Sequence, residues 1–99
     1  MPRINTEKHL QSAVRIAYRL QRTGRYGNAS PYNGLDDIGI ALKAGVSPDD
    51  TRVRTVVGTY LKKDPEFLAK YESLVRSAPR PNRLLLDVIR DLRQEQAQE

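Results

Sequence analysis

Ile40-Ala41-Leu42-Lys43-Ala44-Gly45-Val46-Ser47, followed by Thr51-Arg52-Val53-Arg54-Thr55-Val56-Val57, is the stretch on which the reading of this chain turns. Apolar residues recur at helical spacing on both sides of Gly45, so the segment reads as helix, turn, helix. Gly45 falls where a helix ends and a left-handed backbone is wanted. Ser47-Pro48-Asp49-Asp50 then supplies a start signal, with Ser47 as cap, Pro48 in the first helical position and Asp50 reaching back as in a capping box. The second helix of the pair runs over 48–63. Val53, Val56, Val57, Tyr60 and Leu61 form its apolar side. Arg52, Thr55, Thr59 and Lys62 share the opposite side, with Arg54 just off it.

Working outward, Leu35 to Ala44 forms the helix before the turn, with Leu35, Ile38, Ala41 and Leu42 as its stripe. Asp36 and Asp37 fall in its first turn, where carboxylates favour the helix dipole. Gly24 to Gly34 reads as a loop, because three Gly, one Pro, two Asn and one Ser punctuate eleven residues. Its two aromatics, Tyr26 and Tyr32, either fold back on the core or stand out as contacts. Upstream, a helix capped by Asn5 or Thr6 and closed at Thr23-Gly24 places Leu10, Ala13, Val14, Ala17, Tyr18 and Leu20 on one face. Lys8, Arg15, Arg19 and Arg22 form a basic stripe opposite.

Downstream, Asp64-Pro65 ends one helix and starts another, whose seam is Phe67, Leu68, Tyr71, Leu74 and Val75. Ser77 to Pro81 breaks the chain again. Asn82 caps a last helix over 82–96, with Leu85, Val88, Ile89 and Leu92 on one face, Leu84 widening it and Leu86 off it. The polar tail is expected to fray. No alternating strand pattern competes with the helical period. The expectation is an all-α fold: one domain over 1–99, built as a small bundle of about five helices.

Composition narrows the function classes. The chain has no cysteine, so disulfides and thiolate metal sites are excluded. No apolar run is long enough to span a bilayer, and MPRINTEKHL lacks a signal-peptide core. A cytoplasmic protein with no membrane partner is the expectation. His9 is the single histidine and flanks the apolar face of the first helix, where packing explains it better than acid–base chemistry. With no nucleophile pair and no metal-ligand spacing, no enzyme, metal or cofactor is expected. The net charge of +5 is uneven: residues 1–63 hold eleven Lys and Arg against five Asp and Glu, and residues 64–99 hold six against seven. A basic front half points to a polyanion.

The spacing of Ala41 and Gly45, with Ile40, Ala44, Val46, Val53 and Val56 as apolar anchors, resembles the helix-turn-helix of DNA-binding regulators. The resemblance covers about residues 35–62, within a helix-turn-helix-like unit of about 35–63. It implies double-stranded DNA as partner, the helix 48–63 in the major groove, and a small transcriptional regulator. Arg52, Arg54, Thr55, Thr59, Lys62 and Lys63 would then meet bases and phosphates, and Arg15, Arg19, Arg22 and Arg25 would meet phosphates. Two features depart from the pattern. The interval from Gly45 to Val53 exceeds its commonest form, and Asp49 and Asp50 lie at the helix tip, where carboxylates repel DNA unless they cap amides. Regulators that read palindromes dimerise, which would use Leu85, Leu86, Val88, Ile89 and Leu92. The rival expectation is a protein–protein interaction module such as an anti-activator, adaptor or phage-type inhibitor, docking through the Tyr26–Tyr32 loop or the last helix. A small DNA-packaging or assembly subunit would combine both roles.

Overall fold

Each helix begins at a side-chain oxygen that accepts a backbone N–H the helix cannot satisfy itself. Asn5 caps α1 (Thr6–Thr23), Ser30 caps α2 (Pro31–Lys43), Asp50 caps α3 (Thr51–Lys63), Asp64 caps α4 (Pro65–Ser77) and Asn82 caps α5 (Arg83–Ala97). The structure, a computed structural model, describes residues 5–98. The first four residues of MPRINTEKHL, read above as lacking a signal-peptide core, and the ends of the 1–99 domain therefore lie outside the described residues. Within 5–98 the chain is all helical, and none of its helices is long and apolar enough to cross a membrane.

Three boundaries differ from the sequence reading. First, α2 starts at Pro31 rather than Leu35, so the loop is only 24–30. Ser30-Pro31 is a cap followed by proline in the first turn, a start signal hidden among turn-forming residues. Asp36 and Asp37 consequently sit beyond the first turn. Their carboxylates instead accept from Tyr71 Oη at 2.6 Å and from His9 Nδ1 at 2.8 Å. Second, α3 starts at Thr51, because Asp50 rather than Ser47 is its cap. Ser47 Oγ accepts the Asp49 amide at 3.0 Å and holds the preceding turn. Gly45 in that turn has φ +109°, a value L side chains rarely adopt. Third, α5 runs from Arg83 through Ala97, one residue past the expected end at 96.

The core lies where α1 packs on α2 and α3, with α4 and α5 closing the far side. Leu10, Ala13, Ile16, Ala17 and Leu20 of α1 meet Leu35, Ile38, Ala41 and Leu42 of α2 and Val53, Val56, Val57 and Tyr60 of α3. Ile16, not Tyr18, completes the inner face of α1; Tyr18 is 60% exposed. In α4, Leu68 and Tyr71 are buried, whereas Leu74 is 52% exposed. Glu72, nearly buried, accepts from Arg76 of its own helix at 2.9 Å and from Arg93 of α5.

Leu85, Val88 and Ile89 are buried within this core. That corrects their expected role as an oligomer interface. Burying each is worth roughly 1.5–3 kcal/mol to the monomer, which would be lost by turning it to a partner. Leu86 is only partly exposed and Leu92 packs against the same core. Only Leu84, at 44% exposure, stands well out from α5.

Beside this aliphatic core lies an aromatic cluster. Tyr60 contacts Tyr26 and Phe67, with ring centroids 5.7 and 6.2 Å away, and Tyr32 meets Phe67 edge-on at 5.0 Å. Tyr26 and Tyr32 thus fold back onto the core and are not free contact residues. Tyr60 Oη donates to the Pro31 carbonyl at 2.8 Å. It also presses on Gly34, where an added Cβ would overlap the hydroxyl.

Gly34→Ala is expected to destabilise by about 1–3 kcal/mol through this overlap. Tyr60→Phe should cost about 0.5–1.5 kcal/mol by removing the hydrogen bond to the Pro31 carbonyl. Urea titrations of both variants check these values. Burial pushes the Tyr60 hydroxyl's pKa up; burial and a carboxylate acceptor raise those of Tyr26 and Tyr71. The folded state therefore keeps protons that the unfolded chain releases near pH 10. Melting temperature should be insensitive to these three groups below that pH and fall above it, with Tyr71→Phe flattening the alkaline decline.

Candidate nucleic-acid interface

The two polar stripes legible in the sequence, one on α1 and one on α3, form a single surface. Glu7 near the start of α1 meets Arg52 near the start of α3, Arg52 Nη1 to Glu7 Oε2 being 2.5 Å. At the other end, Gln21 of α1 shares a groove with Thr55, Thr59, Lys62 and Lys63 of α3. The two helices therefore run side by side in the same general direction. Tyr26 Oη donates to Asp64 Oδ2 at 2.7 Å, fastening the loop that carries Arg25 to the C-terminal end of α3. The Asp64 carboxylate does double duty, since its Oδ1 also accepts the Phe67 amide at the start of α4.

Two shallow grooves mark this surface. The upper one, about 370 Å³, is lined by Gln11, Val14, Arg15, Tyr18 and Arg52. The lower one, about 360 Å³, lies over Gly58, with Leu61 and Leu92 among its walls and Arg54 and Glu95 at its margin.

The expected site residues divide by what holds them. Arg52 is engaged twice, by Glu7 and by Asp50 Oδ1 at 3.4 Å. Arg54 turns toward α5 and pairs with Glu95 at 2.5 Å, with Asp49 at 4.0 Å. Neither arginine is free to read a base without leaving a carboxylate. Thr59 is nearly buried, and its hydroxyl donates to the Thr55 carbonyl at 2.8 Å, so it offers no donor to a ligand. Thr55, Lys62 and Lys63 are exposed.

On the first helix, Arg15, Arg22 and the neighbouring Arg25 are exposed. Arg19 is exposed too, but its guanidinium lies against Gly27 of the loop. None of Arg15, Arg19, Arg22, Arg25, Lys62 and Lys63 has a carboxylate within 4 Å among the described residues.

The carboxylates at the helix tip are partly accounted for. Asp50 accepts the Arg52 amide at 2.8 Å, and this hydrogen bond, reinforced by the Arg52 side chain, lowers its pKa below the ordinary aspartate value. It acts as a cap rather than a loose charge. Asp49 stays exposed.

Tyr18 is the residue that sequence reasoning misplaced. Placed on a helical wheel whose centre includes Ile16, it falls beside Val14 and Gln11, between the apolar arc and the arginines. Among the described residues no group of three or more His, Asp or Glu side chains could hold a metal ion. Comparison with protein-family models, curated proteins and solved structures gives no match.

Because Tyr26 is the tether between the loop and α3, Tyr26→Phe should lower stability by about 1.5–3 kcal/mol, the usual worth of a hydrogen bond to a charged acceptor. Amide exchange should quicken over Arg25–Asn28 and leave Val53–Val57 protected.

Proposed function

We propose that this protein binds duplex DNA without catalysing a reaction, through the joint face of α1 and α3, and acts as a small regulator of transcription. The sorting of its cations carries this reading. Arg52, Arg54, Arg76, Arg90 and Arg93 are each paired with a carboxylate. Those along α1, the following loop and the end of α3 are left unpaired among the described residues, and they lie on adjoining elements. Lys43, Lys70, Arg80 and Arg83 are also unpaired but stand on other elements. A concentrated field of one sign attracts a polyanion and sets the salt dependence of binding.

In this pose Lys62, Lys63, Arg22 and Arg25 take phosphates, and the exposed Thr55 hydroxyl and methyl meet base edges. Arg52 contributes only by exchanging Glu7 for DNA. A second reading, docking to another protein, draws on Leu74 and Leu84, which keep about half their surface in water away from the basic face. It has lost Tyr26, Tyr32, Leu85, Val88 and Ile89, which are packed inside.

Fluorescence anisotropy with randomised duplex DNA across a salt series tests the proposal. Lys62→Ala combined with Lys63→Ala is expected to weaken all sequences alike and reduce the log–log salt slope by about 2. Thr55→Ala should weaken only the preferred sequence, by about 1–3 kcal/mol. Absence of binding to every duplex at low salt overturns the reading.

A further inference from the structure

We infer that Tyr18, with Arg15 and Arg22, forms a stacking platform for an unpaired nucleobase, so that the preferred ligand is nucleic acid carrying a single-stranded segment beside the duplex. The inference rests on the nucleic-acid reading above and sharpens which substrate that surface takes.

Among the described residues Tyr18 is the most exposed large hydrophobic side chain, at 60%. A lone exposed ring is ordinary in a soluble protein. Its surroundings are not. The Arg22 guanidinium stands over the ring, 5.4 Å from its centroid, which shows that a flat group can reach the π face. Arg15 lies one turn before Tyr18 and Arg22 one turn after, and neither is paired with a carboxylate among the described residues. Tyr18 also borders the upper groove, whose volume of about 370 Å³ has room for a base. Arg52, at the groove's other wall, is steadied by Glu7 and Asp50.

Aromatic side chains set among cations are how proteins hold single strands: the ring takes the base and the cations take the backbone. A protein partner fits less well. Protein interfaces need an apolar core depleted of charge, and Val14 is the only other apolar residue lining this groove, the rest being Gln11, Arg15 and Arg52. A blunt duplex leaves the ring unused, because its bases are already stacked. The unpaired cations continue from Arg22 to Arg25, and the Tyr26–Asp64 tether brings that loop to Lys62 and Lys63. A duplex on the lower groove and a single strand passing Tyr18 can therefore be held together.

The test compares three fluorescein-labelled DNA probes of equal phosphate number: a blunt duplex, a duplex with a single-stranded overhang, and a single strand. A polyglutamate peptide serves as the non-nucleic polyanion. Wild-type protein is expected to bind the overhang probe about tenfold more tightly than the blunt duplex. Tyr18→Ala should abolish that difference while leaving blunt-duplex affinity unchanged, and Tyr18→Trp should keep it. 2-Aminopurine in the overhang should lose fluorescence on binding to wild type and not to Tyr18→Ala. Since Tyr18 lies outside the core, circular dichroism should show both variants folded.

Equal affinity for blunt and overhang probes overturns the platform and leaves the DNA-binding reading standing. Polyglutamate binding as tight as the overhang probe and equally sensitive to Tyr18→Ala overturns the platform in favour of an acidic peptide. No binding to any of the three DNA probes overturns the underlying reading and the platform with it.

Discussion

The buried phenol of Tyr60 sets the geometry on which the surface depends. A buried hydroxyl must find an acceptor, and this one reaches the Pro31 carbonyl in the first turn of α2. It can do so only because Gly34 presents no Cβ there. The same ring packs on Tyr26 of the loop and Phe67 of α4. One side chain of α3 thereby positions α2, the loop and α4 against one another. Since α1 enters that loop directly, the seat of Tyr60 also aligns the outer faces of α1 and α3.

A second consequence concerns charge. Five of the chain's carboxylates hold elements in place. Asp50 and Asp64 cap helices, Asp36 and Asp37 accept from Tyr71 and His9, and Glu72 joins α4 to α5 through Arg93 while also accepting from Arg76 of its own helix. No buried side-chain polar atom among the described residues lacks a partner. The positive character of the α1–α3 face is thus partly a by-product of folding. Glu7 and Asp50 on that face are taken up by Arg52, and Arg15, Arg19, Arg22 and Arg25 have no carboxylate within 4 Å among the described residues.

Much of the architecture was legible because local signals agreed with one another. The caps Asn5, Asp64 and Asn82, Gly24 at the end of α1, and the apolar seams of α3 and α5 lead to the observed elements. The start of α2 was obscured because Pro31-Tyr32-Asn33-Gly34 carries turn-forming residues. Its helical state is supported by a hydrogen bond from Tyr60, twenty-nine positions away in the chain. At the start of α3 the expected cap, Ser47, serves the preceding turn, and Asp50 caps the helix instead. Tyr18 was placed inward because its type suggests burial, although Arg15, Gln21 and Arg22, three of its four neighbours at helical spacing, are polar. The candidate site was legible as two basic stripes but not as one surface, and its individual members could not be sorted. Arg52 and Arg54 lie beside Thr55, yet carboxylates forty or more positions away engage both of them.

Helical period, caps and the placement of basic residues are local properties, because they depend on neighbours within a turn or two of chain. They sufficed for five helices and for a basic front half. Which apolar faces remain exposed, which cations stay unpaired and where the aromatics point depend on contacts between distant elements. Leu85, Val88 and Ile89 close the monomer core, and Tyr18 remains in water among arginines, because α1, α3 and α5 meet on particular sides. Periodicity supplies each helix with a face; only packing decides which face the neighbouring helices cover.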